Sequence, residues 1–144
     1  MTANEEIFDS PQGWVRTHIE EYVATDGRKG HRWRGLPTLL LTTRGRKSGK
    51  LRRTALIYGR DGQNYLLIAS NGGAHHHPAW YLNLAENNEV ELQVGADRFA
   101  ARAHTASPQE KSRLWPLMAA IFPQYDKYQA KANRDIPLVI VEPI

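Results

Sequence analysis

Thr38-Leu39-Leu40-Leu41-Thr42-Thr43-Arg44-Gly45-Arg46-Lys47-Ser48-Gly49-Lys50-Leu51-Arg52-Arg53-Thr54-Ala55-Leu56-Ile57-Tyr58 decides how the rest of the chain is read. Leu39 to Thr43 is a continuous apolar and β-prone run, which predicts a strand buried on both faces. Thr54 to Tyr58 predicts a second strand. Between them lies a loop with five cationic side chains within eight residues. Gly45 and Gly49 let the backbone turn and bring amide groups towards an anion. Arg46 and Arg52 can grip a phosphate through two nitrogens each, and Lys47 adds a point charge. Ser48 and Thr54 supply hydroxyls. A loop this dense in charge, pinned between strands, is built to hold an anion.

The loop is not a Walker A motif. Only three residues separate Gly45 from Gly49, Leu51 follows Lys50 where a hydroxyl is needed, and a strand follows instead of a helix. The chain contains no G-x-G-x-x-G, which removes the Rossmann dinucleotide signature.

Outward from this core, Gly59-Arg60-Asp61-Gly62 reads as a hairpin turn leading to a third strand, Tyr65 to Ala69. Ser70-Asn71-Gly72-Gly73 breaks the sheet, and Pro78 to Glu86 reads as a short helix carrying Trp80, Tyr81 and Leu84. Val90 to Val94 and Arg98 to His104 are strands around a turn at Gly95-Ala96-Asp97, with Phe99, Ala101 and Ala103 on one face. Ser107, Pro108 and Glu110 form a capping-box start. The helix that follows runs to Ile121, with Leu114, Leu117, Met118 and Ile121 towards the core, and Pro123 ends it. Tyr125 and Tyr128 follow in a weakly patterned segment, and Ile136 to Val141 is a last strand. Towards the N-terminus, residues 11–24 read as a helix capped by Ser10, with Pro11 in its first position. Its stripe of Trp14, Val15, Ile19, Tyr22 and Val23 predicts packing on the sheet. Residues 25–37, with three glycines and a proline, are a connector anchored by Trp33.

Six strands joined mostly by tight turns do not alternate with helices as in a doubly wound sheet. The expectation is an α+β, mainly β protein: an antiparallel barrel with flanking helices. The domain reading is a helix and connector over 1–37 and a cofactor-binding barrel over 38–144.

The 144 residues favour one domain, and the net charge of +4 favours an anionic partner. With no cysteine, disulfides and thiolate metal sites are excluded. No apolar run reaches the ~18 residues of a membrane span, and no secretory pattern opens the chain, so the expected location is cytoplasmic. His75-His76-His77 is read as a loop, not a metal site, because adjacent side chains diverge. No Ser–His–Asp or Cys–His set is visible, which suits an enzyme whose cofactor carries the hard step.

The run Leu39 to Thr54, then Ala69-Ser70-x-Gly-Gly, then Pro78-x-Trp80-Tyr81-x-Asn83-Leu84, resembles the deazaflavin-dependent nitroreductases of actinobacteria. The likeness continues through Trp115-Pro116, Pro123-x-Tyr125-x-x-Tyr128 and the final strand ending in Glu142-Pro143, covering roughly residues 34 to 144. It implies a split β-barrel and coenzyme F-420, an 8-hydroxy-5-deazaflavin with a phospholactyl–polyglutamate tail. It implies that Arg46, Lys47, Ser48 and Arg52 hold the phosphate and acidic tail. Thr54, Leu56, Ala69, Ser70 and Asn71 would line the ring or its ribityl chain, with Trp80, Tyr81 and Asn83 closing the site. Tyr125 would orient the acceptor and supply a proton, beside Tyr128.

The implied reaction is hydride transfer from the reduced cofactor to a quinone or an activated nitroaromatic. Ile57 and Phe122 stand where a nitro-drug-activating member has tyrosines, which makes the acceptor pocket less polar; Asn71 replaces a lysine. Two other readings carry different tests. An FMN or haem binder on a related barrel would need fewer cations. A basic module binding nucleic acid would show steep salt dependence, but no recognition helix or RNP-type strand is evident, so no nucleic-acid partner is expected. A hydrophobic quinone is compatible with membrane contact, for which the sequence gives no support. The oligomeric state is left open.

Overall fold

The computed structural model describes residues 5–144. Among these are nine strands and four α-helices. In chain order they are β1 (Ile7–Asp9), α1 (Gly13–Ala24), β2 (Arg32–Trp33), β3 (Leu36–Arg44), β4 (Leu51–Ile57), β5 (Gly59–Asp61) and β6 (Asn64–Ile68). After a 3-10 turn at Asn71–Gly73 come α2 (Ala79–Glu86), β7 (Glu89–Val94), β8 (Asp97–Thr105), α3 (Pro108–Ile121), α4 (Gln124–Ala132) and β9 (Leu138–Pro143).

The fold is a split β-barrel. The strands pair in the order β1-β4-β3-β7-β8-β9-β6-β5, with β2 added to β3. Every pairing is antiparallel except β1 on β4. β4 and β5 are one stretch of chain interrupted at Tyr58, so that stretch pairs with β3 before the break and with β6 after it. A strand that changes partners at a bend turns a barrel's corner. Gly59 sits at this corner, where an added Cβ would run into the Met118 sulfur and crowd Leu117 and Ile121, so a larger residue there would push the side chains of α3 aside.

Side-chain alternation divides the core. Leu39 and Leu41 of β3, Tyr65 and Leu67 of β6 and Leu92 of β7 fill the barrel interior. Leu66 and Ile68 point the other way, into a second cluster with Leu114, Met118, Tyr125 and Ile136 under α3 and α4. Leu40 faces α1, against Val15, Ile19 and Tyr22. The Leu39–Leu41 run is therefore buried on both faces, as its continuity predicts. The Tyr22 hydroxyl ties α1 to the barrel, accepting from the Gly95 amide at 2.7 Å and lying 3.1 and 3.2 Å from the Thr38 and Gln93 carbonyls. Its burial pushes its pKa up to about 12.

Several sequence expectations need correction. α1 begins at Gly13 with Gln12 as its unbonded cap; Ser10 instead donates its amide to the Arg53 carbonyl and prolongs the β1–β4 pairing. Gly59 to Asp61 is strand, and the hairpin turns at Gly62-Gln63. β1 and β2 have no apolar period and were not anticipated, and the Tyr125 segment is a full helix. Leu117 is 38% exposed, so the core face of α3 is narrower than its apolar residues suggest. The capping box at Ser107 and Glu110 forms as expected.

Candidate active site

Two cavities flank β4. The first, of about 530 Å³, is lined by the β3–β4 loop, by Thr43, Arg52, Arg53 and Thr54, by Asn71, by Ala79, Trp80 and Asn83 of α2, and by Phe8 to Gln12. The second, of about 280 Å³, is largely apolar. Its walls come from Trp14 and His18 of α1, Trp33, Thr38, the Ala55-Leu56-Ile57 end of β4, Ile68, Ser70, Gly72, Phe122, Tyr125 and Tyr128. The Ser70–Gly73 turn stands between them, giving Asn71 to the first and Ser70 and Gly72 to the second.

The basic loop is a closed hairpin. The Gly45 amide donates to the Lys50 carbonyl at 2.8 Å and the Gly49 amide to the Gly45 carbonyl at 2.9 Å. Gly49 has φ +71°, which suits glycine. The Lys50 amide reaches Ser48 Oγ, and the Arg46 amide reaches Asn83 Oδ1. The two glycine amides are thus consumed by the turn, not offered to an anion. Binding falls to the side chains.

Those side chains divide into two sets. Arg44 pairs with Glu5, just before β1, and Arg53 pairs with Asp9 of β1 at 2.5 and 3.2 Å, so both guanidinium groups are neutralised. Lys50 and Arg52 lie over the Phe8 ring at 4.9 and 5.4 Å. Arg46, Lys47 and Arg52 line the cavity with no carboxylate partner among the described residues, unlike Arg44 and Arg53. Asn83, buried on α2, accepts from Arg46 Nη1 at 3.0 Å and donates to Thr43 Oγ1 at 3.2 Å. It fixes Arg46, so its effect on an anion is exerted through that guanidinium.

The apolar cavity holds its polar groups differently. Tyr125 is only 5% exposed, yet its hydroxyl has no hydrogen-bond partner among the described residues and is not sealed from solvent. Burial pushes its pKa well above the usual tyrosine value, so the group stays a neutral donor. Trp115 and Phe122 hold its ring at centroid distances of 6.4 and 5.0 Å. Ile57 and Phe122 line this cavity, as does Leu56; Thr54, Ser48 and Trp80 line the first.

Two of the anticipated contacts fall outside both cavities. Ala69 is fully buried, with its amide on the Pro137 carbonyl and its carbonyl on Arg134. Tyr81 turns towards Thr105, with its hydroxyl 2.8 Å from Thr105 Oγ1, and packs on His77 at 4.8 Å.

The model of F-420H(2)-dependent quinone reductases matches residues 14–143. The chain belongs to that family. An F-420H(2)-dependent quinone reductase of Mycobacterium tuberculosis is 41% identical over 131 residues, covering 88% of each chain. A solved chain from a domain-swapped dimer is 36% identical, with a TM-score of 0.72 over 92% of this chain and 100% of that one. An F-420-H(2)-dependent reductase structure is 37% identical, with a TM-score of 0.68 over 74% of this chain and 94% of that one. A haem storage protein of Vibrio cholerae, 16% identical with a TM-score of 0.57 over 90% of each chain, shares the fold alone.

For a member of the quinone reductase family, the residues missed by sequence are instructive. Arg134 donates to the carbonyls of Ala69, Ser70 and Ala74 at 3.2, 3.0 and 3.0 Å and to His77 Nδ1 at 3.0 Å. It clamps the loop between the cavities, and nothing in its local sequence signals this. Asp9 and Phe8 sit in a segment that reads only as acidic and polar. Trp14 and His18 carry helical spacing, but it does not show that their side of α1 closes a cavity.

Proposed function

We propose that the protein is an oxidoreductase that takes hydride from reduced coenzyme F-420 and delivers it to a quinone held in the apolar cavity. The observation that carries this reading is the pair of adjoining cavities: one lined by unpaired cations, the other apolar with an open tyrosine hydroxyl. The donor set fits the coenzyme. A phosphodiester and several carboxylates call for more than one cation, and Arg46, Lys47 and Arg52 offer three without carboxylate partners. A volume of about 530 Å³ is within the ordinary range of small-molecule sites.

When bound, the deazaflavin supplies a two-electron hydride donor that handles single electrons poorly. The chain's part is to bind, orient and exclude water. Arg46, Lys47, Arg52 and Ser48 hold the tail. Thr54 and Asn71 border the ring's side, and Trp80 offers an aromatic wall. Tyr125 donates a hydrogen bond to the acceptor oxygen, with Tyr128 beside it, while Ile57 and Phe122 keep the acceptor's surroundings apolar. That apolar lining favours a quinone over a polar nitroimidazole.

Fluorescence titration with oxidised F-420, with FMN run alongside, tests the cofactor. Saturable F-420 binding, weak FMN binding and a loss of F-420 affinity of about tenfold in Arg52→Ala are the expected results. Preferential FMN binding, or binding of neither, overturns the reading.

A further inference from the structure

We propose that His18 of α1 is a catalytic proton donor to the reduced acceptor. The inference rests on the quinone reading above. His18 lines the apolar cavity one helical turn from Trp14, which is 59% exposed and stacks on Trp33 at 6.0 Å. Its Nε2 lies 2.7 Å from the Gly30 carbonyl. A carbonyl can only accept, so Nε2 carries the hydrogen and the ring is held in one orientation. The other nitrogen, Nδ1, has no hydrogen-bond partner among the described residues and is not sealed from solvent. A fixed ring with one open nitrogen at a cavity wall is what proton donation requires.

The chemistry has a vacancy for such a group. Hydride adds two electrons and one hydrogen to a quinone and leaves a hydroquinone monoanion, one proton short. The Nδ1–H bond of the His18 imidazolium breaks, an O–H bond forms on the anionic oxygen, and neutral imidazole remains to be reprotonated by solvent. Tyr125 gives up a proton reluctantly because burial disfavours its anion. Among the described residues no Asp, Glu, Lys or Arg lines this cavity, so His18 is the one basic side chain there that can carry a proton to the acceptor and be recharged by solvent. The titratable groups on the elements around it are Arg16, Glu20, Glu21 and Tyr22 on α1, Asp26, Arg28, Lys29, His31, Arg32 and Arg34 on the connector, and Tyr125, Asp126, Lys127, Tyr128 and Lys131 on α4; of these only Tyr125 and Tyr128 line the cavity with it.

Two variants separate donation from support. His18→Gln keeps an amide able to reach the Gly30 carbonyl but cannot titrate. His18→Asn places an amide near the Nδ1 position and gives up the Gly30 bond. Menadione reduction by the F-420-loaded protein is followed from pH 5.5 to 8.5, with F-420 affinity measured by fluorescence. For the wild type, kcat/KM rises as pH falls, because the imidazolium is the active form. H18Q loses about tenfold or more at pH 6 and flattens the profile, with F-420 affinity within about twofold. H18N recovers the menadione KM but not the pH dependence. Menadione added to the coenzyme-free protein shifts the His18 ring NMR resonances.

A wild-type profile in H18Q, equal loss of F-420 affinity and turnover, or unshifted His18 resonances each overturns the proposal while leaving the reductase reading intact. A wild-type protein that binds F-420 but reduces no menadione overturns both. Failure to bind F-420 removes the reductase reading first, and His18's role with it.

Discussion

The two cavities share β4 as a wall, yet their polar groups are held in opposite ways. Around the cationic cavity the chain preassembles its own contacts: Arg46 on Asn83, Arg53 on Asp9, Arg44 on Glu5. Around the apolar cavity the Tyr125 hydroxyl and His18 Nδ1 are left without partners among the described residues. A preset cradle suits a ligand whose charges never vary, because the ordering cost is met during folding. Open donors in an apolar wall suit acceptors that differ in shape and share only a reducible oxygen. The difference implies that changes around the first cavity register in coenzyme affinity, and changes around the second in turnover.

Arg134 is the residue that should break this division. Its guanidinium holds three carbonyls of the loop that contributes to both cavities. Arg134→Met leaves those carbonyls unsatisfied in a part-buried site and should lower stability by about 3 kcal/mol. Urea unfolding measures this, and F-420 affinity and menadione turnover should fall together. A variant of unchanged stability that lost only one of the two would show that the loop does not couple the cavities.

Asn83→Asp sharpens the first half. A carboxylate in place of the amide still accepts from Arg46 but neutralises it. F-420 affinity should drop about tenfold, or ~1.4 kcal/mol, while kcat with saturating coenzyme changes little. Tyr125→Phe sharpens the second half. The hydroxyl has no protein partner, so the denaturation midpoint should stay within ~0.5 kcal/mol of wild type and F-420 affinity should hold. Turnover should fall severalfold with a raised acceptor KM. A Tyr125→Phe protein that unfolded more easily would place the hydroxyl in an internal hydrogen bond and close the cavity to it.

The cationic cavity was largely legible in the sequence because its key residues are neighbours. The loop from Arg46 to Arg52 advertises charge, turn and flanking strands within one short window. The pairing of the flanking Arg44 and Arg53 with Glu5 and Asp9 was not legible, since β1 is too short to show a period and pairs parallel to a strand over 40 positions away. The barrel's strands announced themselves by apolar alternation, and their order did not. Residue type alone marked Tyr125 and Tyr128 as possible donors, and only the family resemblance gave them a place at the acceptor. Local pattern gave α4 no credit, because a helix this polar is stabilised by Tyr125 and Ala132 packing against the sheet, a tertiary effect. The apolar cavity draws on five separated segments, and no window of sequence contains it.

His77 offers the smallest effect and a separate check on the loop. Its Nδ1 accepts from Arg134 and its ring packs on Tyr81, and burial together with the adjacent guanidinium holds its pKa below the usual histidine value. The unfolded chain therefore binds the proton more readily than the folded one. Stability from this contact is complete above the ordinary histidine pKa, near ~6.5, and is lost as pH falls below it towards the folded value. The denaturation midpoint should slip slightly between pH 7 and 5, and His77→Gln should remove part of that slope while His18→Gln does not. The direction opposes the activity change ascribed to His18, which rises as pH falls. Turnover measured in the His77→Gln background therefore isolates proton donation in the apolar cavity from slackening of the loop between the two.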